Sequence, residues 1–303
     1  MNYPTAAGTT DLASLIPTIW APKAQMKFYS RTIMAQIANT AYEGLISKQG
    51  DKVTINNTPD ITINDHVMGQ DLSYEQPTPS DVDLLIDKGK SYSFAIPDIG
   101  KKQSIINFLE DWSEDASKQM KIAIERSIFA DVYADAAALN QGASAGKLSG
   151  DIDLGSSGSP VALTNSNAAE LIIERAGVVL DEQDVDDDNR WIVLPAWACA
   201  RLKTDLKDAS MTGDGKSTIR TGLVGMVDRF KVYQSNLLYK TVADSADNVL
   251  FGTNQALTFA SQLVINESVK AQSTFGDLFR GLQVYGYKVV KPEAMGRLYI
   301  DKA

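Results

Sequence analysis

Residues 101–141 contain neither Gly nor Pro, and this unbroken stretch limits the fold more than any other feature of the chain. Gly and Pro are the residues that punctuate helices. Within the stretch, apolar residues recur at Ile105, Phe108, Leu109, Trp112, Ala116, Met120, Ala123, Ile124 and Ile128. That is the i, i+3, i+4, i+7 spacing of one amphipathic helix. Glu110, Glu114, Lys118, Lys121 and Glu125 mark the opposite, solvent-facing side. Ile105, Leu109, Trp112, Ala116, Met120 and Ile124 are expected to face a core. At ~1.5 Å per residue, a helix over the whole stretch is roughly 50–60 Å long. Few compact enzymes of this size devote so much chain to one helix.

What precedes the helix reads differently. Residues 1–20 are small and polar and predict an extended arm. Ile33, Met34, Ile37 and Ala38 then have helical spacing, predicting a short helix. Three groups follow in which apolar and polar residues alternate: Val53 and Ile55, then Ile61 and Ile63, then Tyr92, Phe94 and Ile96. Alternation of this kind is the mark of a strand with one buried face. Between them, residues 57–81 carry the closely spaced Pro77 and Pro79 and five acids, Asp60, Asp65, Asp71, Glu75 and Asp81. Such a stretch contributes little to a core and is expected to be exposed and mobile. The block predicts a two-stranded excursion with a polar tip. An isolated ribbon is marginal in water, so it needs a surface to lie on.

After the helix, residues 142–160 are rich in Gly and Ser and predict a loop or junction. Mixed α/β texture follows. Ala168 to Leu180 predicts a helix with Thr164, Ser166 or Asn167 as N-cap. Arg190 to Leu194 predicts a strand, Trp197 to Leu206 a helix, and Phe230 to Tyr233 a strand closed by Ser235 and Asn236. From Leu263 onward the pattern is again that of strands, through Leu282, Val284, Tyr285, Tyr287, Val289 and Val290, with Pro292 as a stop. No internal repeat or heptad array is present.

Composition bounds the class. The chain has 303 residues, 29 Lys plus Arg and 38 Asp plus Glu, for a net charge of −9. An acidic chain repels nucleic acid on average, and its densest basic pair, Lys101 and Lys102, reads as solvated surface. Nothing at the N-terminus has the form of a signal peptide, and no run approaches the ~20 apolar residues of a membrane helix. The one cysteine, Cys199, lies among apolar neighbours and reads as a buried structural thiol. These features fit a protein made in a reducing cytoplasm.

The chemistry-bearing motifs fail at specific positions. With one His (His66) and one Cys (Cys199), no zinc site can be built. The run Asp184 to Asn189 starts like a calcium loop, but Asn189 stands where Gly is needed and Pro195 where a bidentate Glu is needed. It reads as a solvated acidic turn. Gly213 to Ser217 resembles the end of a phosphate loop, but Ser210 replaces the leading Gly. His66 sits beside Asp65 in the polar tip, far from any nucleophile elbow. No cofactor, metal or catalytic set is therefore expected.

With no enzyme pattern to follow, the order of elements carries the reading. A polar arm, a long two-stranded loop, a very long helix, an α/β region and a return to strands together resemble the major capsid proteins of tailed bacteriophages, the Hong Kong 97-like fold. Local stretches add to this. Leu180 to Val185 with Asn189 to Pro195 resembles a recurring A-domain passage: helix end, acidic turn, Arg, strand, Pro. Gly225 to Asn236 resembles a later A-domain strand ending in Ser-Asn. Phe279-Arg280-Gly281, Tyr285 to Val289 and Lys291-Pro292 resemble C-terminal P-domain strands.

The resemblance implies an α+β subunit with an N-arm and first helix at 1–45 and an E-loop at 46–100. It places a spine helix at 101–142, an A-domain at 143–260, and returning P-domain strands with the C-terminal segment at 261–303. It implies a structural, non-catalytic protein of the virion that self-assembles in the host cytoplasm into hexamers and pentamers. These would close into an icosahedral head around double-stranded DNA, held by weak, non-specific contact. No helical extension precedes the arm and no large insertion lies between Lys207 and Arg229, so a separate scaffolding protein is expected, with a portal and decoration proteins as further partners. Asp60, Asp65, Asp71, Tyr74, Glu75 and Asp81 are the inter-subunit contact candidates. An encapsulin-like compartment, which would carry enzyme cargo, and a soluble enzyme with an unrecognised site are the alternatives.

Overall fold

A computed structural model describes residues 29–30, 32–42, 52–59, 61–66, 68–69, 71, 74–97, 108–209, 225–241, 246–271 and 275–302. The arm, Asp60, Ile105, the Lys101–Lys102 pair and the Gly213–Ser217 stretch lie outside them.

The long helix, α2, runs from Phe108–Val132 and has 25 residues. At ~1.5 Å per residue these residues span roughly 37 Å; the helix ends at Val132, before the end of the stretch that its sequence predicts, and residues 101–107 lie outside the described ones. No Gly or Pro ends it. Tertiary contacts claim the backbone and side chains that follow. Tyr133 stacks on Tyr239 with ring centroids 4.7 Å apart. The Ala137 N–H donates to Pro292 O at 3.3 Å. The Asn140 amide donates to Glu293 O at 2.7 Å and to Met295 O at 3.0 Å, which draws the chain into a short 3-10 turn at Ala138–Asn140. Intrinsic helix propensity is a weak prior against bonds of this kind.

Along α2, Met120, Ile124, Ile128, Phe129 and Val132 are buried, as the spacing predicts for the first three. Three positions depart from expectation. Trp112 is 40% exposed and meets Phe94 edge-on, away from the buried seam that begins at Met120. Ala123 is exposed. Glu125, expected on the solvent side, is buried.

What α2 packs on is a three-stranded antiparallel sheet. Its centre is β10 (Gly276–Val289), flanked by β3 (Lys88–Pro97) and β9 (Leu257–Lys270). Strand alternation gives β10 two faces. Tyr285 and Val289 join the main core with α2, while Val284 faces the other way. That second face is covered by the base of a hairpin formed by β1 (Lys52–Asn57) and β2 (Ser80–Leu85). Ile55, Leu84 and Ile86 form a second core there with Ala260, Val284 and Val290. Each buried aliphatic side chain is worth about 1.5–3 kcal/mol relative to exposure, so the ribbon has its supporting surface within the chain. Gly286 permits the approach, since a Cβ at that position would lie 2.1 Å from Leu85 O.

Two strand expectations are corrected here. The ribbon partner of β1 is β2, whereas the alternation at Tyr92, Phe94 and Ile96 belongs to β3 in the three-stranded sheet. Ile61 and Ile63 form no strand and bury nothing, because no second strand lies beside them among the described residues. Alternation records a capacity to pair; the pair itself needs a partner.

The remaining elements build a six-stranded mixed sheet in the order β4-β11-β8-β5-β7-β6. These are β4 (Val161–Leu163), β5 (Arg190–Leu194), β6 (Met226–Val227), β7 (Phe230–Gln234), β8 (Asp247–Thr253) and β11 (Met295–Lys302). Every residue of β5 and β8 is buried, which fits central strands covered on both faces. The strands of the second half thus begin at Asp247, earlier than Leu263. A helical segment, α3, precedes β5. It runs Ala168–Glu170, then a wide π stretch Leu171–Gly177, then Val178–Glu182. After β5 comes α4 (Ala196–Ala209). The Asn236 side chain, just past β7, accepts the Ala196 N–H at 3.1 Å and caps α4. Near the start of α1 (Met34–Ile37), Ile33, Met34, Ile37 and Ala38 are all buried against the main core. Asn39 then bridges to Thr258 of β9.

The acidic run after α3 is not simply solvated. Arg190 is fully buried, 2.7 Å from Asp181 and 3.0 Å from Asp187, and it donates to Val185 O and Asp186 O. Arg229 adds a second bond to Asp181 at 2.6 Å. Asp184 and Asn189 adopt positive φ of 56° and 57°, a conformation Asp and Asn tolerate better than most residues. The turn is wrapped around a buried cation.

Candidate assembly surface

From Val53 to Asp87 the chain has no Lys or Arg and seven acids. This is the hairpin, and its local geometry follows from that charge. At its base, Lys52 pairs with Asp83 at 2.6 Å. Thr54 also donates to Asp83, at 3.0 Å. The Lys52 hydrogen bond holds the Asp83 carboxyl below its ordinary range. Past Asn57 and before Ser80 the described residues form no strand, and nearly all of them are solvent-facing.

The tip presents large apolar side chains to water: Ile61 at 63% exposure, Ile63 at 89%, Met68 at 96% and Tyr74 at 90%. Single exposed apolar residues are ordinary, and four on one loop make this the candidate interaction surface. Asp65, His66, Asp71, Glu75 and Asp81 are exposed on the same hairpin. One tie crosses the tip, where the Thr62 N–H donates to Glu75 Oε1 at 2.6 Å. Five of the six contact candidates, Asp65, Asp71, Tyr74, Glu75 and Asp81, therefore share one hairpin, and Asp60 lies outside the described residues. Charge and proline content led to the acids. The apolar partners Ile61, Ile63 and Met68 were missed, although an alternating pair flanked by acids was the available signal.

The other polar clusters are self-contained. An open cleft of about 380 Å³ lies beside Lys88, Lys90, Ser127 and Asp131. In it Lys88 bonds to Asp131 at 2.8 Å, and Tyr287 OH bonds to both. Burial pulls the Lys88 ammonium down, but its bonds to Asp131 and Tyr287 outweigh this and hold it above its ordinary value. The same Lys88 bond holds Asp131 low, and burial with the Asp131 bond pushes Tyr287 up to about 12. Every group is thus driven away from neutrality, the reverse of what acid–base catalysis needs. Burial likewise pushes the Cys199 thiol up to about 11. Among the described residues, no group of three or more His, Cys, Asp or Glu side chains is placed to hold a metal ion, and no helix is long and apolar enough to cross a membrane.

No protein-family model matches this sequence, and no curated protein matches it. Solved structures do. A chain from Mycobacterium phage Che8 is 26% identical, with 94% of this chain and 97% of that chain covered and a TM-score of 0.75. The capsid of Cyanophage P-SCSP1u is 15% identical over 97% of this chain and 96% of that one, with a TM-score of 0.72. The mature capsid of bacteriophage PhiM1 is 12% identical over 95% and 93%, with a TM-score of 0.66. The likeness to phage capsid subunits that the order of elements suggested extends over nearly the whole chain.

Proposed function

We propose that this chain is the major capsid protein of a tailed bacteriophage, a structural and non-catalytic subunit. It self-assembles through hexamers and pentamers into an icosahedral head enclosing double-stranded DNA. The observation that carries the reading is the combination of near full-length likeness to capsid subunits with an acidic hairpin whose exposed tip carries apolar side chains that join neither core among the described residues. In this reading the hairpin is the E-loop and α2 the spine helix. The three-stranded sheet belongs to the P-domain and most of the six-stranded sheet to the A-domain. The negative balance suits a container that must not hold its DNA tightly, and assembly is served by a separate scaffolding protein and a portal, in the host cytoplasm.

Heterologous contacts that close into rings suit such a subunit. The hairpin would lie across a neighbouring copy, with Ile61, Ile63, Met68 and Tyr74 supplying apolar contact and the acids setting register against basic groups. The test replaces Gln70 to Ser80 with a short Gly-Ser linker. Sedimentation and negative-stain images of wild type and variant, with and without a co-expressed scaffolding protein, should show closed particles for the wild type alone. Thermal melts of the two subunits should agree within a few degrees, because the replaced stretch contributes little to either core. Normal shells from the variant would remove the hairpin from the assembly mechanism.

A further inference from the structure

The hairpin and the three-stranded sheet are joined by a short passage. β2 ends at Leu85 and β3 begins at Lys88, so Ile86 and Asp87 alone lie between them. The hairpin forms a sheet of its own, order β1-β2, and shares no ladder with β3, β10 and β9. What seats its base on β10 is the second core, which is apolar. Apolar contact is non-directional. It holds the base down and does little to set the angle at which the hairpin leaves.

Directional bonds meet at the same joint, on the other face of the sheet. Lys88 forms the end pair of the β3–β10 ladder, opposite Tyr285. Its ammonium donates to Asp131 Oδ2 of α2 at 2.8 Å and to the Tyr287 hydroxyl of β10, and that hydroxyl donates to Asp131. The ammonium also lies 4.2 Å from the centre of the Tyr287 ring. Along β10, Gly286 lies against Leu85 and Ile86, and the next residue, Tyr287, holds Lys88 on the opposite face. Gly89 follows Lys88, and glycine is the residue whose backbone moves most freely once a ladder opens.

We propose that Lys88 is a pin that fixes the direction of the hairpin against α2. Bonded to Asp131 and Tyr287, it keeps the end pair of the ladder closed, and the hairpin turns at Ile86 and Asp87. Without the pin the ladder opens as far as Lys90, and the turning segment gains Lys88 and Gly89. Strand ends open at little cost in free energy, so a few side-chain bonds decide which state holds. The Lys88 and Asp131 side chains are 39% and 54% exposed, and a pair so exposed adds little to global stability. The pin therefore acts on local geometry and leaves the fold almost unchanged. Its use in placing the tip on a second copy rests on the hairpin's proposed role in assembly; the pin itself does not.

The experiment measures the distance between spin labels in the unassembled full-length subunit. The labels sit on Asn56→Cys in β1 and Lys121→Cys in α2, both exposed positions, while the native Cys199 is buried. With Lys88 in place the distance distribution should be single and narrow. Lys88→Met keeps the stem, loses the bonds and should broaden the distribution several-fold. Tyr287→Phe should broaden it in the same direction. The two together should broaden it no further than Lys88→Met alone, because they break one unit. Amide hydrogen exchange at residues 88–90 should quicken several-fold in both variants, with residues 190–194 unchanged. A distribution as narrow in Lys88→Met as in wild type would overturn the pin, as would a double variant whose broadening is the sum of the two. Melting temperatures should stay within a few degrees of wild type, and a large drop would also overturn it, by making the cluster part of the core. Particle assembly with the same variants tests the proposed role separately. Normal shells from a subunit with a broadened distribution would uphold the pin and remove the hairpin's direction from assembly.

Discussion

Arg190 is fully buried but meets Asp181, Asp187 and two carbonyls. Removing one member of such a network leaves the others unpaired, at about 3–5 kcal/mol for a fully buried pair. Asp181 and Asp187 retain partial solvation, so Arg190→Met should cost about 3 kcal/mol in urea unfolding, at the lower end of that range. Burial opposes ionisation of Asp181, yet Arg229 and Arg190 hold its carboxyl below the ordinary value of 3.8. A depressed acid stabilises the fold above its ordinary value, and that contribution is lost as pH falls through the lowered one. Asp181 therefore weakens the fold in acid. Aromatic exposure decides another case. Trp112, 40% exposed and touching Phe94 edge-on, should cost only about 1 kcal/mol on truncation to Ala. Ile128→Ala, in a fully buried position, should cost about 2–5 kcal/mol. Equal melting temperatures for these two variants would contradict the placement of α2.

At the scale of elements, the hairpin is held at one end and free at the other. Its base is seated on β10 over Gly286, where added bulk meets backbone, Leu85 O at 2.1 Å, and also Ile86 Cδ1 at 2.8 Å. Gly286→Ala should lift the base and cost about 1–3 kcal/mol, the usual range for overpacking. Hydrogen exchange should locate the change at residues 80–90, with the six-stranded sheet unaffected. A second glycine shapes the far part of the same sheet. At Gly281 a Cβ would fall 2.4 Å from the Tyr92 ring, so the missing side chain lets Tyr92 lie across the strand. Tyr92 stacks on Phe94 and Phe94 on Phe279, at 6.2 and 5.4 Å. These rings support the part of the sheet where Trp112 of α2 meets Phe94 edge-on.

For the whole molecule, folding and assembly are separable demands on different residues. Neither core includes any of the described residues between 58 and 79, so substitutions at those residues should act on association. Replacing Asp65, Asp71, Glu75 and Asp81 by their amides should leave the melting temperature within a few degrees, since exposed charges contribute little to stability. Assembly of wild type should slow as salt rises, because screening at ~0.15 M already acts beyond about 8 Å. The neutralised variant should assemble slowly at every ionic strength. Light scattering during assembly measures both, and an unchanged salt dependence in the variant would show that these acids do not steer the encounter.

Periodicity in the sequence was enough for the elements whose partners are decided by burial alone. The strand Arg190–Leu194, the helix after it, the strand closed by Ser235 and Asn236, and the apolar seam Met120–Ile124 were all legible, because each repeats apolar residues at one period. The polarity of the hairpin tip was legible for the same reason in reverse, since a stretch so acidic and proline-containing has no core to offer. Only the tertiary structure decided where α2 stops, because the groups that end it, Pro292, Glu293 and Met295, lie more than 150 residues further along. It alone placed Glu125 inside, since its partners are backbone N–H groups, those of Ile33 and Met34, and every residue type but proline carries such a group, which no sequence pattern distinguishes. It alone paired β1 with β2 and left Ile61 and Ile63 exposed, because alternation states which face a strand would bury and says nothing about what lies beside it.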